Sequence, residues 1–501
     1  MGLANLGKGI RYLLVLNVIQ MLATAVFFYA AARILTESEI GLIATLTFTY
    51  AVLTILSSLA LPTAGTKYVA EFLGGGEDVK ASAAAQSVIR LVLLNASVVA
   101  VGFHIALILV IGGIYGYTIS FSLICIASFL ASLKLSYVAF LQGLQLFDRY
   151  ITVNLSTTIT SYLMGVLLII KFGLTGFALG VITGEIVGLA LALLFSRKLL
   201  PKTALSHSYR ELLKFSTPIF VMQIATIFSD WTDRILFFAL SLNLALLGIY
   251  DLSVKTATSI LVISGFIEGI ALSLLSKAYG QTGERSVTPL LKRAIRYLGF
   301  ICFPVAFGLA TISRATMTVL YGQTYLEGSL PLAILSVSSI STAFSTLLGA
   351  ALKSIGKTGA FIKISLVSFT ISAIVVVSSS PFLGIMGATL ARALSAILVF
   401  ALTFHELRHW IKVDVDSDGV RKGVLASGAS SAFLFIFNIL LMESTALNLL
   451  LGLFISIVLY GLTLLVLGAL RSEDFLVFRR IVPQLTVFID AVETTFAKLI
   501  K

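Results

Sequence analysis

Three short patterns carry residue types that do chemistry. His405-Glu406-Leu407-Arg408-His409 puts two imidazoles four residues apart with a glutamate between them. On a helix this is the spacing of a zinc-dependent protease, with the histidines as ligands and the glutamate as base. Asp414 or Asp416 would have to complete the ligand set. Ala351-Leu352-Lys353-Ser354-Ile355-Gly356-Lys357-Thr358 fits a relaxed phosphate loop, and Asp414-Val415-Asp416-Ser417-Asp418-Gly419 opens like a calcium loop. Each pattern is judged by the element that must carry it. A phosphate loop works between a buried strand and a helix N-terminus, and this one joins two apolar runs. A calcium loop needs a bidentate glutamate at its twelfth position, where Leu425 stands. The two histidines sit at the basic end of an apolar run, where His and Arg also complement a helix dipole. A membrane metalloprotease through His405 and His409 therefore stays as one alternative, and the predicted protein is not an enzyme, with no cofactor and no resident metal.

The second set of reactive residues lies inside apolar runs. Lys134, Glu185, Asp230, Asp233, Arg234, Asp251, Lys255, Glu268 and Arg392 all fall there. A charge at mid-bilayer costs roughly 2.5–3.5 kcal/mol on insertion scales, so each needs a reason. Counted from the outer ends of their runs, Asp230, Lys255 and Arg392 lie about ten, nine and eight residues deep, hence near one level at 1.5 Å per residue. That convergence suggests a polar chamber. Two readings compete. Asp230–Arg234 and Asp251–Lys255 have the i,i+4 spacing of intrahelical ion pairs, and the six charges with Asp233 and Arg392 sum to zero. Alternatively they form a substrate or ion path, with Asp230, Asp233 and Asp251 as coupling sites. Lys134 is close enough to the end of its run to snorkel. Glu185, between Gly184 and Gly188, has no basic partner within helical reach and is the best single candidate for ion coupling. Glu268 is similar but nearer the basic face.

The elements that must hold these residues are membrane helices. Apolar stretches occur at roughly 12–32, 42–61, 91–113, 119–141, 151–170, 174–195, 215–240, 246–274, 295–312, 329–352, 361–380, 384–404, 424–442 and 447–469. About 20 apolar residues span a bilayer core, so the fold class is all-α and polytopic with about 14 transmembrane helices. Alternate loops collect 28 of the 35 Lys and Arg residues, whereas the opposite loops hold Arg33, Lys171 and Arg314. By the positive-inside rule both termini are cytoplasmic and the site is the cell membrane. A composition 58% hydrophobic and only 12% charged excludes a soluble globular domain, and the net charge of +12 is then topological rather than a nucleic-acid footprint. Cys125 and Cys302 read as small buried side chains. The first apolar run is too long for a signal-peptide core and is expected to be retained. Residues 471–501, with Phe475, Phe478, Ile481 and Phe488, are expected to lie on the inner surface as an amphipathic tail.

The chain also repeats itself. Gly41 opens the second run and Gly248 the eighth, 207 residues later. Gly173-Leu174-Thr175-Gly176 before the sixth matches Gly384-Ile385-Met386-Gly387 before the twelfth, 211 residues later. Two six-helix lobes of like orientation follow, at 1–200 and 201–410, with helices 13–14 in 411–470 as an addition.

Arg33-Ile34-Leu35-Thr36-Glu37-Ser38-Glu39-Ile40-Gly41 resembles the first outer loop of the polysaccharide transporter family, which includes O-antigen flippases. Glu211 to Pro218, Asp233-Arg234, Gly248-Ile249-Tyr250, Leu320 to Tyr325 and Gly384 to Ala388 also resemble that family. It belongs to the multidrug/oligosaccharidyl-lipid/polysaccharide exporter superfamily. The resemblance implies a flippase that moves polyprenyl-linked oligosaccharide across the cytoplasmic membrane by alternating access. It implies basic cavity residues facing the lipid diphosphate, a role open to Arg33, Lys134, Arg234, Lys255 and Arg392. It also implies a proton or sodium gradient, membrane lipids and glycan-assembly enzymes as partners, and a monomer. An ion-coupled small-molecule exporter of the same superfamily is the nearest alternative.

Overall fold

The computed structural model describes residues 3–111, 117–197, 199, 207–357, 359–440 and 446–470. The expected amphipathic tail at 471–501 lies outside them, as does Thr358 of the phosphate-loop pattern. The described residues are mostly helical, with no strand among them, and thirteen helices are long and apolar enough to cross a membrane. The eighth expected run, 246–274, is not one helix. It divides into α9 (Leu244–Thr258) and α10 (Leu261–Thr282), with the break at Ser259–Ile260. Ser259 donates its hydroxyl to the Thr256 carbonyl at 2.7 Å, and Thr258 donates to Val254 at 2.8 Å. Side-chain hydroxyls thus help cover carbonyls around the interruption, which is what permits a broken helix away from water.

The second run breaks in the same way. α2 (Glu37–Ser58) starts on a capping box spelled Thr36-x-x-Glu39: the Glu39 amide donates to Thr36 Oγ1 at 3.3 Å and the Thr36 amide to Glu39 Oε2 at 3.0 Å. It ends at Leu59 and Ala60, both left-handed with φ of 49° and 54°, before α3 (Leu61–Gly74). Two consecutive non-glycine residues there cost about 1–2 kcal/mol each. Asn95 of α4 (Asp78–Ile111) offsets this by donating to the Leu56 and Ser57 carbonyls at 2.7 and 2.9 Å.

The remaining elements are α1 (Leu3–Ile34), α5 (Thr118–Gly143), α6 (Phe147–Phe172), α7 (Leu174–Ser196), α8 (Tyr209–Ser241), α11 (Glu284–Thr311), the short α12 (Ser313–Thr316), α13 (Ser329–Ser354), α14 (Ala360–Leu383), α15 (Ile385–Arg408), α16 (Ser417–Leu440) and α17 (Ala446–Val466). The order α1 to α7 recurs as α8 to α11 and α13 to α15. α8 starts 206 residues after α1, at Tyr209 against Leu3, and α15 starts 211 after α7, at Ile385 against Leu174. The extra residues fall between the starts of α11 and α13, a stretch that in the second copy carries α12, a π-helical turn at Met317–Tyr321 and a 3-10 turn at Gln323–Gly328. Corresponding turns share their geometry. Gly173 and Gly384 have φ of 54° and 56°, and each accepts from the glycine three residues on, at 2.9 and 3.0 Å. Only glycine takes that backbone without strain.

The described residues divide into two compact units, drawn from Met1–Leu252 with Ser365–Ala391 and from Ser253–Ile364 with Arg392–Lys501. Within the first, the repeat-related glycines meet. A Cβ on Gly41 would collide with the Leu244 carbonyl, and one on Gly248 with the Glu37 carbonyl and, at 2.7 Å, the Gly41 amide nitrogen. The contact is reciprocal, as residues related by a two-fold axis require. Small residues let two membrane helices approach this closely. Gly41→Leu or Gly248→Leu is expected to cost at least about 1–3 kcal/mol by overpacking, read as a lower thermal unfolding midpoint in detergent, whereas Gly74→Leu, with open space around it, leaves the midpoint unchanged.

Candidate functional site

Lys134 does not snorkel. α5 brings it in among Ala131, Ser132 and Ser136, and its ammonium reaches Glu185 on α7, at 2.8 Å from Oε2 and 3.0 Å from Oε1. Lys134 is 6% and Glu185 3% exposed, so the pair is out of reach of bulk solvent. The Tyr50 hydroxyl of α2 donates to Glu185 Oε1 at 2.8 Å. Glycines make the room. A Cβ at Gly188 would strike Thr157 Oγ1 and come within 2.8 Å of Lys134 Cδ, and one at Gly184 would strike Ser161 Oγ. Glu185 has no basic partner on its own helix, as expected, and takes one from another helix, a pairing that helical periodicity cannot reveal.

A second polar group occupies α8 and the start of α9. Arg234 is not paired with Asp230, its i−4 neighbour. Its Nη1 lies 3.0 Å from Asp251 Oδ1, whereas its Nη2 meets only the backbone carbonyl of Asp230, at 3.5 Å. Asp251 is fully buried and Arg234 8% exposed, while Asp230 is exposed. The guanidinium covers the Trp231 ring at 4.0 Å, and Trp231 packs on Phe48 at 5.4 Å. Arg234 Nε is buried with no acceptor. Beside it, the Tyr250 hydroxyl lies 2.6 Å from Asp233 Oδ2, to which it donates, and 3.2 Å from the Ala388 carbonyl. Tyr50, Tyr250 and Trp231 were not among the candidates from sequence. Their aromatic character hid them in runs where phenylalanine is common.

The other candidates are dispersed. Arg33 is exposed at the end of α1, over Tyr29 at 5.6 Å. Lys255 and Arg392 are half-buried and belong to the second unit. In that unit Glu268 pairs with Lys353 at 2.7 Å. The carboxylates that suggested a calcium loop face bases: Asp414 Lys292 at 2.6 Å, Asp416 Arg296 at 3.4 Å, and Asp418 Lys422 at 2.7 Å. Asp416 also accepts from the Gly419 amide at 3.3 Å, in the first turn of α16. The His405 and His409 rings stand edge to face at 4.7 Å, and among the described residues no group of three His, Cys, Asp or Glu side chains could hold a metal ion.

Residues 30–331, which contain both buried groups, match the model of a polysaccharide biosynthesis protein family. The chain belongs to that family. A probable low-salt glycan biosynthesis flippase, Agl15 of Haloferax volcanii, is 22% identical over 321 residues, 64% of this chain and 68% of the relative. Among solved structures, the lipid II flippase MurJ in an inward closed conformation aligns with a TM-score of 0.66 at 14% identity, covering 90% of this chain and 96% of its own. An inward-facing multidrug resistance MATE family transporter of the MOP superfamily aligns at 0.65 with 13% identity, covering 78% and 94%. At such identities these structures speak for the fold, which is that of the MOP superfamily. This member of the polysaccharide biosynthesis family is a multi-pass membrane protein whose charges inside the apolar helices are held largely by partners on other helices.

Removing one partner of a buried pair strands the other. Lys134→Met is expected to cost about 3–5 kcal/mol, and Lys134→Met/Glu185→Leu distinctly less. Thermal unfolding of the singles and the double in one detergent measures the difference as a double-mutant cycle.

Proposed function

We propose that this protein is a flippase for a lipid-linked oligosaccharide or polysaccharide precursor, working by alternating access without covalent chemistry. On this reading it sits in the cytoplasmic membrane with both termini inside, its lobes being 1–200 and 201–410. The observation that carries the reading is the Arg234 group. A buried guanidinium with one donor left over and an aromatic ring beneath it suits a phosphate and a sugar respectively. A buried donor without an acceptor costs about 1–3 kcal/mol, which a ligand oxygen would recover. Family membership and the relative's description as a glycan biosynthesis flippase support the same substrate class. Arg33, Lys255 and Arg392 are the further headgroup contacts. Glu185, through Lys134 and Tyr50, is the coupling site, with Asp230, Asp233 and Asp251 as the alternatives; a proton or sodium ion is the coupled species.

The fold likeness to a multidrug transporter keeps a small-molecule exporter as the second reading. Proteoliposomes loaded with a fluorescent polyprenyl diphosphate oligosaccharide separate the two, with externally added quencher reporting the fraction moved. Wild-type protein should equilibrate the probe, and Arg234→Ala or Lys255→Ala, compared at equal amounts of reconstituted folded protein, should slow this at least about tenfold. Unchanged rates in both variants remove these residues from the role. Extrusion of a cationic dye without movement of the glycolipid selects the exporter.

A further inference from the structure

A separate groove opens between α4, α5 and α7 at the ends that carry basic loops. It is a cavity of about 540 Å³, and its polar wall is Gln86, Arg90, Tyr137, Ser196 and Arg197. Its apolar wall includes Leu193 and Leu194, which are 41% and 63% exposed and so face outward from the bundle. Arg90 immediately precedes the apolar run of α4, and Arg197 immediately follows that of α7. Both guanidinium side chains are exposed, and each borders an apolar run, the place in sequence where hydrocarbon is expected to give way to headgroups. Neither residue belongs to the buried ionic groups described above.

The groove also holds a polar atom without a partner. Ser196 is 1% exposed, and its hydroxyl has no hydrogen-bond partner. A serine at the end of a helix normally finds a carbonyl one turn back. The carbonyls at the end of α7 accept from other groups, Leu193 from the Arg197 amide at 2.8 Å, Phe195 from Arg149 at 3.3 Å and Ser196 from the Leu199 amide at 3.0 Å, and the Ser196 hydroxyl bonds none of them. These bonds also blunt the negative end of the helix dipole, which would otherwise repel an anion. What remains is two cations, a spare hydroxyl and an apolar ramp open to lipid.

We propose that this groove binds the phosphate of an anionic phospholipid from the surrounding leaflet, with its acyl chain lying on Leu193 and Leu194. Arg90 and Arg197 take the phosphate oxygens, and Ser196 donates to one of them. Basic pockets between membrane helices on the cytoplasmic side recognise lipid headgroups by this chemistry. The volume accommodates a headgroup and the first part of a chain, and none of its lining residues belongs to the Arg234 group that carries the transport reading.

The full-length protein in detergent, titrated with phosphatidylglycerol and followed by native mass spectrometry, tests this without any transport assay. Phosphatidylglycerol should be retained in preference to phosphatidylcholine, and R90Q/R197Q should weaken its retention about tenfold. Leu194→Trp fills the lipid-facing mouth from an exposed position that the fold does not depend on, and it should weaken retention as well. Equal retention by wild type and the double variant, by wild type and Leu194→Trp, or of both lipids by wild type overturns the proposal. Displacement by inorganic phosphate alone would make the groove a free-anion site, and preference for a polyprenyl phosphate would return it to the transported lipid; either result also overturns it.

Discussion

Inside a bilayer a charged side chain needs a polar partner in contact with it, and this constraint orders the helices around Lys134 and Glu185. Lys134 and Glu185 are 2.8 Å apart with almost no exposure, and neither is accessible to bulk water. Their attraction is strong in a low-dielectric surrounding, but so is the desolvation that opposes it, and such pairs seldom add net stability. Their value is geometric. The pair fixes α5 against α7, Tyr50 brings α2 to the same carboxylate, and Gly184 and Gly188 exist where bulkier residues would close the gap.

The repeat supplies the second constraint. Gly41 and Gly248 touch because each lies at the start of an equivalent helix, and each abuts the backbone one turn before the other. A single small residue duplicated with its lobe thus makes both sides of one contact. The breaks in the second and eighth runs extend the likeness but not identically. One falls at Leu59–Ala60 on strained left-handed residues, the other at Ser259–Ile260 on hydroxyl-covered carbonyls. In repeat numbering the second break comes about two turns earlier, so α9 is the shorter helix. The two copies retain the same kink by different chemistry, which is how duplicated segments acquire separate duties.

Much of this was legible from residues alone, and the reason is physical. Hydropathy and loop charge report on the bilayer, a solvent that acts on every residue independently, so the helices and their approximate ends could be read directly. Glycine turns of the Gly173 and Gly384 kind were visible because a backbone with positive φ narrows the residue choice almost to one. Partnerships between helices were not visible. Arg234 has Asp230 one turn away and Asp251 seventeen residues away, and local spacing favours the first while the fold selects the second. The same limit hid the clamp of Lys292 and Arg296 on Asp414 and Asp416, although the matched spacing of two bases a turn apart and two acids two residues apart was a usable signal. The unbroken hydrophobicity of 246–274 concealed a helix break because hydroxyl groups repair it from within.

The balance at Arg234 bears directly on how such a protein would release what it carries. A guanidinium wholly committed to Asp251 would ignore a phosphate, and one with no counter-ion would hold it too firmly. Here one nitrogen serves the carboxylate, one meets a backbone carbonyl at the limit of hydrogen bonding, and Nε has no acceptor. An incoming phosphate would therefore meet a fork already in place, taking the spare Nε donor while Asp251 keeps Nη1. The net gain is held down because the phosphate must shed its own hydration and share the guanidinium with the Asp251 carboxylate beside it. Weak net binding with fixed orientation is what carriage demands, since affinity common to both ends of the cycle only slows departure. Trp231 beneath the guanidinium adds a flat apolar surface whose attraction depends little on charge, so it would favour the sugar side of a glycolipid without deepening the hold on its phosphate.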